Sequence, residues 1–268
     1  MPTLKKLAFF RYMKQYGLIG YPLGHSFSKK YFEEKFVNEH LQGCSFELFP
    51  IEKIELFNEI IATNKNLHGL AVTIPHKETV MPLLTEISDA AKAIGAVNCI
   101  KITEGKTLGY NTDVIGFEKS LLPLLQPDHK KALVLGTGGA SKAVQYVLKK
   151  LGISFLVVSR NKMTSTITYE NISAAIIQTH TLIINTTPLG MTPNEEGFAV
   201  IPYHLLSPKH LLYDLIYKPE KTMFLQKGEQ QGCAIKNGFE MLILQAEENW
   251  GIWGAPSISP AGGGNLGD

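Results

Sequence analysis

The chain has 268 residues, 44% of them hydrophobic and 19% charged, a balance that excludes a disordered polymer and gives length for one large or two ordinary domains. Its formal net charge of +2 offers no footing for a nucleic-acid or membrane-surface partner. Scattered histidines without HExxH or paired Cys/His spacing point away from a metal, so no metal ligand is assigned; Cys44, Cys99 and Cys233, far apart in sequence, fit reduced thiols in a cytoplasmic protein.

The first stretch, "MPTLKKLAFFRYM", lacks the long apolar core and small-residue cleavage site of a signal peptide, and no apolar run approaches the roughly 20 residues of a membrane span. The ordered domain is expected to begin near Met13, with residues 1–12 a loosely attached extension. "QYGLIGY" (15–21) then reads as a short apolar strand. "SKKYFEEKFVNEHL" follows as a helix, with Tyr31, Phe32, Lys35, Phe36 and Glu39 at helical spacing. "SFELFPI" is the next strand, "IELFNEIIA" a helix with Ile54, Phe57, Ile60 and Ile61 on one face, and "LHGLAVTIP" the third strand. "TEISDAAKAIGAVNCIKI" runs from helix into strand, punctuated by Gly95.

A boundary near residues 109–117 precedes a second series. "KALVLGTGGASKAVQYVLKKLG" reads as strand, glycine turn and helix, with Gly152 as its C-terminal stop. "SFLVVSRN", "HTLIINTTP" and "HLLYDLIY" are further strands. "MFLQKGEQQG" is a helix ending at Gly232, "CAIKNG" a short last strand, and "FEMLILQAEENWGIW" a long amphipathic helix. The tail "SISPAGGGNLGD" is expected to be loose. Strand and helix in repetition give an α/β fold with mostly parallel sheets covered by helices.

In "ALVLGTGGASKA", Gly136, Gly138 and Gly139 stand between an apolar strand and a helix. That context suits a dinucleotide: glycines let the backbone approach a pyrophosphate, and the helix N-terminus offers free N–H groups. The third glycine of the usual pattern is Ser141 here. The next strand ends in Ser159, Arg160 and Asn161, followed by Lys162, with no carboxylate for a ribose 2′-hydroxyl. A planar guanidinium and a hydroxyl suit a 2′-phosphate instead, which favours NADP over NAD.

The stretches "GYPLGHSFSK", "GLAVTIPHK", "GAVNCI" and "GYNTD" in the first half stand with "GTGGA", "INTTPLGM", "YDLIYKPEKTMFL" and "NGFEMLILQA" in the second. In the order and spacing of these eight motifs the chain resembles the shikimate dehydrogenases, over about residues 15–250. The resemblance implies NADPH-linked interconversion of 3-dehydroshikimate and shikimate. It implies two domains: residues 1–112 with 238–268 binding substrate, and a Rossmann-type NADP(H)-binding domain over 113–237. Carried over by motif, Lys77 and Asp113 are the catalytic pair, and Ser26 and Ser28 bind the substrate carboxylate. Thr73, Asn98, Tyr217 and Gln245 hold the ring hydroxyls. Gly136, Gly138, Gly139, Ala140, Ser159, Arg160, Asn161, Leu215 and Gly238 form the cofactor site. A small-molecule substrate is the only partner implied, on a monomer or homodimer in the cytoplasm. A dual quinate/shikimate dehydrogenase shares these motifs, and a nucleotide-binding homologue without turnover is the reading from another class. Two departures from the family pattern stand out: Ala71 where Asn is frequent, and "SRNKMT" in the phosphate loop.

The residue chemistry agrees. Ser26 and Ser28, two apart near a helix start, can converge on one anion, although a serine there also serves as a plain N-cap. Lys77 follows a strand that Pro75 cannot extend, at the kind of tip where doubly wound folds gather ligands; most lysines are merely solvated charges. Asp113 or Thr112 could equally cap the helix that begins with "VIGF". Together, an ammonium and a carboxylate at a carbonyl suit proton transfer coupled to hydride transfer.

Overall fold

The computed structural model describes residues 14–24, 26–161 and 166–254. The expectations for residues 1–12, Lys162 and the glycine-rich tail fall outside these. The strands, in chain order, are β1 (Lys14–Gly20), β2 (Cys44–Pro50), β3 (Leu67–Val72), β4 (Glu86–Ile87), β5 (Cys99–Thr103) and β6 (Lys106–Tyr110) in one sheet. The other sheet holds β7 (Lys131–Leu135), β8 (Ser154–Ser159), β9 (Thr166–Thr168), β10 (Leu182–Asn185), β11 (Leu211–Asp214) and β12 (Ala234–Lys236). Between and around them lie α1 (Phe27–Asn38), α2 (Phe57–Thr63), α3 (Asp89–Ile94), α4 (Asp113–Leu121), α5 (Gly139–Lys150), α6 (Ala174–Thr179), α7 (Met223–Glu229) and α8 (Phe239–Trp253).

The second sheet is parallel throughout, in the order β12-β11-β10-β7-β8-β9. Numbered from β7, this is the doubly wound order 3-2-1-4-5-6, and its direction of winding reverses between β7 and β10. Helices cover both faces, so its strands are continuous apolar runs such as Ala132–Leu135 and Leu182–Ile184.

The first sheet runs β2-β1-β3-β5-β6-β4. β1 pairs in parallel with β2 and β3, but β5 runs antiparallel to both β3 and β6. Sequence reading saw a single strand after Gly95 and missed β6. Glu104 (φ 50°) and Gly105 (φ 76°) both take left-handed conformations, which suit a tight two-residue hairpin turn. Smaller departures accompany this one: Glu86–Ile87, expected at the start of a helix, forms β4. The helix expected at Ile54 opens as a 3-10 turn before α2, α7 stops at Glu229 rather than Gly232, and β9 and α6 carried too few residues to be read.

The last helix returns to the first sheet. The Trp253 indole donates to the Ile100 carbonyl at 3.0 Å, stacks on Tyr16 with ring centroids 5.2 Å apart, and meets Phe32 at 5.3 Å. Gly69 makes room for it, since a Cβ there would overlap the indole. On its other side α8 lies against α4 at Gly116, where a Cβ would come within 2.5 Å of the Met241 carbonyl oxygen. α4 in turn packs Phe117 and Leu121 into the core of the second sheet. One glycine therefore sets the spacing between the helix that carries Asp113 and the helix that carries Gln245. Gly116→Ala is expected to force α8 outward and to lower stability by about 1–3 kcal/mol, read as a lower urea midpoint.

Candidate active site

Lys77 and Asp113 meet. Lys77 lies in the turn after β3 and Asp113 is the first residue of α4, 36 residues on; Nζ donates to Oδ2 at 2.7 Å. Both side chains are largely shielded, 19% and 9% exposed, so the pair is not a solvated surface contact. The other carboxylate oxygen accepts from Asn98 Nδ2 at 2.8 Å. Asp113 is thus spent on these two partners and does not cap its helix. Thr112 makes no cap bond either: its hydroxyl donates to Asn249 Oδ1 at 2.7 Å and to Asn98 Oδ1 at 3.1 Å.

Asn98 is the hub. Its oxygen also accepts from the Thr112 N–H at 2.6 Å, and its amide nitrogen reaches Gln245 Oε1 at 3.4 Å. Gln245 receives a second, equally long bond from Asn249. Gln245 and Asn249, one helical turn apart on α8, face inward from a stripe otherwise filled by Met241, Trp250 and Trp253. Sequence reading found Asn98 and Gln245 but missed Thr112 as a network member and Asn249 altogether. Its signal was available: a second amide at i+4 on the buried side of an apolar helix.

A cleft of about 880 Å³ opens at the switch point of the second sheet. Thr73, Ile74, Pro75 and Lys77 line one wall; Gly136, Gly138, Gly139 and Ala140 line the other. Lys77 Cβ lies 3.8 Å from where a Gly139 side chain would begin, so the catalytic candidate stands directly against the glycine turn. Lys142 of α5 also bridges to Glu78 at 2.7 Å. Ser159, Arg160 and Asn161 line the cleft's far end.

The glycine turn fits a dinucleotide by its geometry. Gly136 has φ 111°, and a Cβ there would press on the Thr186 hydroxyl at 2.7 Å. Gly138, at the N-cap of α5, faces open space and no side chain caps the helix, so its first N–H groups remain available to a phosphate. Ser141, in place of the third glycine, turns its hydroxyl back to the Gly136 carbonyl at 2.7 Å and fastens the turn. No carboxylate stands among Ser159, Arg160 and Asn161, which fits a phosphorylated ribose.

The remaining candidates sit beside the cleft rather than in its wall. Ser26 caps α1, accepting from Lys29 N at 3.4 Å, and Ser28 lies in the first turn. Phe27 between them meets Tyr217 and Phe239, each with ring centroids 5.8 Å apart. The loop entering this turn is tied to the Thr73 strand end by Tyr21 N to Ile74 O at 3.0 Å and Thr73 N to Ile19 O at 2.9 Å. Leu215 and Gly238 are back to back, because a Gly238 side chain would collide with the Leu215 carbonyl.

The profile of the shikimate dehydrogenase substrate binding domain matches residues 18–100. A shikimate dehydrogenase (NADP(+)) of Staphylococcus aureus, strain MRSA252, is 38% identical over 250 residues, which span 89% of this chain and 92% of the relative. The chain belongs to the shikimate dehydrogenases. A crystal structure of the family's enzyme from Aquifex aeolicus superposes with a TM-score of 0.81 at 34% identity, covering 91% of this chain and 93% of that one. One from Thermus thermophilus, described in complex with NADP(H) and shikimate, gives 0.81 at 26%, covering 91% and 94%.

Within the family motif "YDLIY" stands a residue that sequence reading left out. Asp214, fully buried at the end of β11, accepts from Asn185 Nδ2 at 3.0 Å, Ile216 N at 3.0 Å and Thr222 Oγ1 at 2.6 Å. It thereby fixes the turn that carries Leu215 and Tyr217. Burial pushes its carboxyl up to about 6, against the three donors that favour the charged form. A carboxyl that binds its proton more tightly folded than unfolded favours the fold when protonated. That contribution is complete below pH 3.8 and lost as pH rises to about 6. Urea stability of the wild type is expected to lose on the order of 3 kcal/mol relative to Asp214→Asn between those limits. A difference that stays flat with pH would contradict this.

Proposed function

We propose that the chain is an NADP-dependent shikimate dehydrogenase that interconverts 3-dehydroshikimate and shikimate in chorismate and aromatic amino acid biosynthesis. The observation that carries this reading is the Lys77–Asp113 pair, held at 2.7 Å where the tip of β3 meets the glycine turn after β7. The relatives' activity and cofactor support the same for this chain. Residues 1–112 with 238–268 serve as the substrate domain and 113–237 as the NADP domain. The return of α8 onto the first sheet supports that division.

NADPH, when bound, supplies the hydride to the keto carbon. Lys77 stabilises the charge that develops on the oxygen and gives it a proton, taking it back in the reverse direction. Asp113 aims the Lys77 ammonium, and Asn98 aims Asp113. Ser26 and Ser28 take the substrate carboxylate at the start of α1, and Thr73 and Tyr217 the ring hydroxyls. Asn98 and Gln245 join them by exchanging their 3.4 Å contact, one of the two longest in the network, for a substrate hydroxyl. Gly136, Gly138, Gly139 and Ala140 hold the pyrophosphate, Ser159, Arg160 and Asn161 the adenosine end, and Leu215 and Gly238 the nicotinamide end. A cytoplasmic location is supported by three free thiols, and no helix among the described residues is long and apolar enough to cross a membrane.

The assay is absorbance at 340 nm with shikimate or quinate and either NADP or NAD; turnover with shikimate and NADP is expected, and its absence would end the proposal. Lys77→Ala is expected to lower kcat by about 10²–10⁴-fold with a modest change in KM, because proton transfer is lost while the carboxylate contacts remain. Arg160→Ala is expected to weaken NADPH by tenfold or more, the scale of about one charge-assisted hydrogen bond, and to spare NADH.

A further inference from the structure

The turn after β9 carries an aromatic residue that the family motifs do not reach. In the parallel pairing of β8 with β9, Val158 stands opposite Ile167 and Ser159 opposite Thr168. One step further along the two strands come Arg160 and Tyr169. The register brings both to the carboxyl ends of neighbouring strands at the same level, and both line the cleft. The base of Tyr169 is anchored: Thr168 and Asn171 close a capping box around the single 3-10 turn Tyr169–Asn171, with Thr168 Oγ1 donating to Asn171 Oδ1 at 2.8 Å. Tyr169 is partly buried against the core cluster that includes Val158 and Ile172. Among the described residues none hydrogen-bonds its hydroxyl.

We propose that Tyr169 is a second reader of the cofactor's ribose 2′-phosphate, its hydroxyl donating to the group that the Arg160 guanidinium holds from the adjacent strand. This rests on the NADP reading given above. A dianionic phosphate presents three strong acceptor oxygens. Arg160 offers a planar fork and Ser159 and Asn161 short donors, all three from the end of one strand; the phenol comes from the next strand and reaches the phosphate from another side. Burial raises the hydroxyl above its ordinary range, so it stays a donor, while the Arg160 charge acts in the opposite sense. The same hydroxyl has no dianion to meet when the cofactor lacks the phosphate, so its contribution falls on NADPH alone.

The test is fluorescence titration of NADPH and of NADH into the wild type, Tyr169→Phe and Arg160→Ala. Tyr169→Phe keeps the ring and its packing and removes only the donor. It is expected to raise the Kd for NADPH by about tenfold and to leave that for NADH within about twofold, a split that a merely structural ring would not produce. An unchanged NADPH affinity in Tyr169→Phe, with a large loss in Arg160→Ala, would overturn this inference and leave the NADP reading standing. Unchanged NADPH affinity in both variants would overturn both.

Discussion

A lysine and an aspartate drawn from elements 36 residues apart, and shielded from water, need every remaining hydrogen-bonding position filled; the rest of the site follows from that demand. Bringing two charges together in a partly dry place is of little net benefit to stability, whereas leaving one without its partner is costly. The Lys77–Asp113 contact therefore has value only as geometry. The protein maintains it with a layer of neutral polar groups. Asn98 commits both donors and its oxygen, Thr112 commits its N–H and hydroxyl, and Gln245 with Asn249 closes the circuit from α8. Such a network is stiff when complete and a liability when one member is missing, which ties the position of the Lys77 ammonium to a helix more than 160 residues later in the chain.

Across the cleft the second sheet supplies the complementary surface with backbone instead of side chains. The turn at Gly136–Ala140 and the free N-terminus of α5 present N–H groups and a positive dipole end, and Ser141 secures the turn from beneath. The ion pair between Lys142 and Glu78, immediately after Lys77, joins the two walls beside Lys77 and Asp113, where a side chain at Gly139 would begin 3.8 Å from Lys77 Cβ. Helix α5 and the β3 tip are accordingly mechanical neighbours, so a change in the spacing of one is felt by the other.

What the sequence made legible was whatever repeats or terminates strongly. The second-half strands begin within a residue or two of their expected starts and the long last helix matches its expected bounds, although β10 and β11 end three residues short of "HTLIINTTP" and "HLLYDLIY". The missed hairpin at β5–β6 had a signal in "TEGK", but its flanking residues are charged and short-chained, and alternation there is weak. β9 is three residues long and α6 six, too brief for any period to register. At the site, Lys77, Asp113, Asn98 and Gln245 were found, and they do converge. Asn249, Asp214 and Tyr169 were not. Their meaning depends on partners that only the folded chain brings near: Thr112 for the first, Thr222 and Asn185 for the second, and Arg160 for the third.

The return of α8 has a consequence for how the molecule comes into being. Tyr16, Phe32 and Phe46 are made more than 200 residues before the tryptophans that cover them, Trp250 and Trp253. The parallel sheet of the second half can close on residues that follow one another in synthesis. The first sheet must wait, with an aromatic face bare, until α8 has been made, and in that interval it is open to the wrong company.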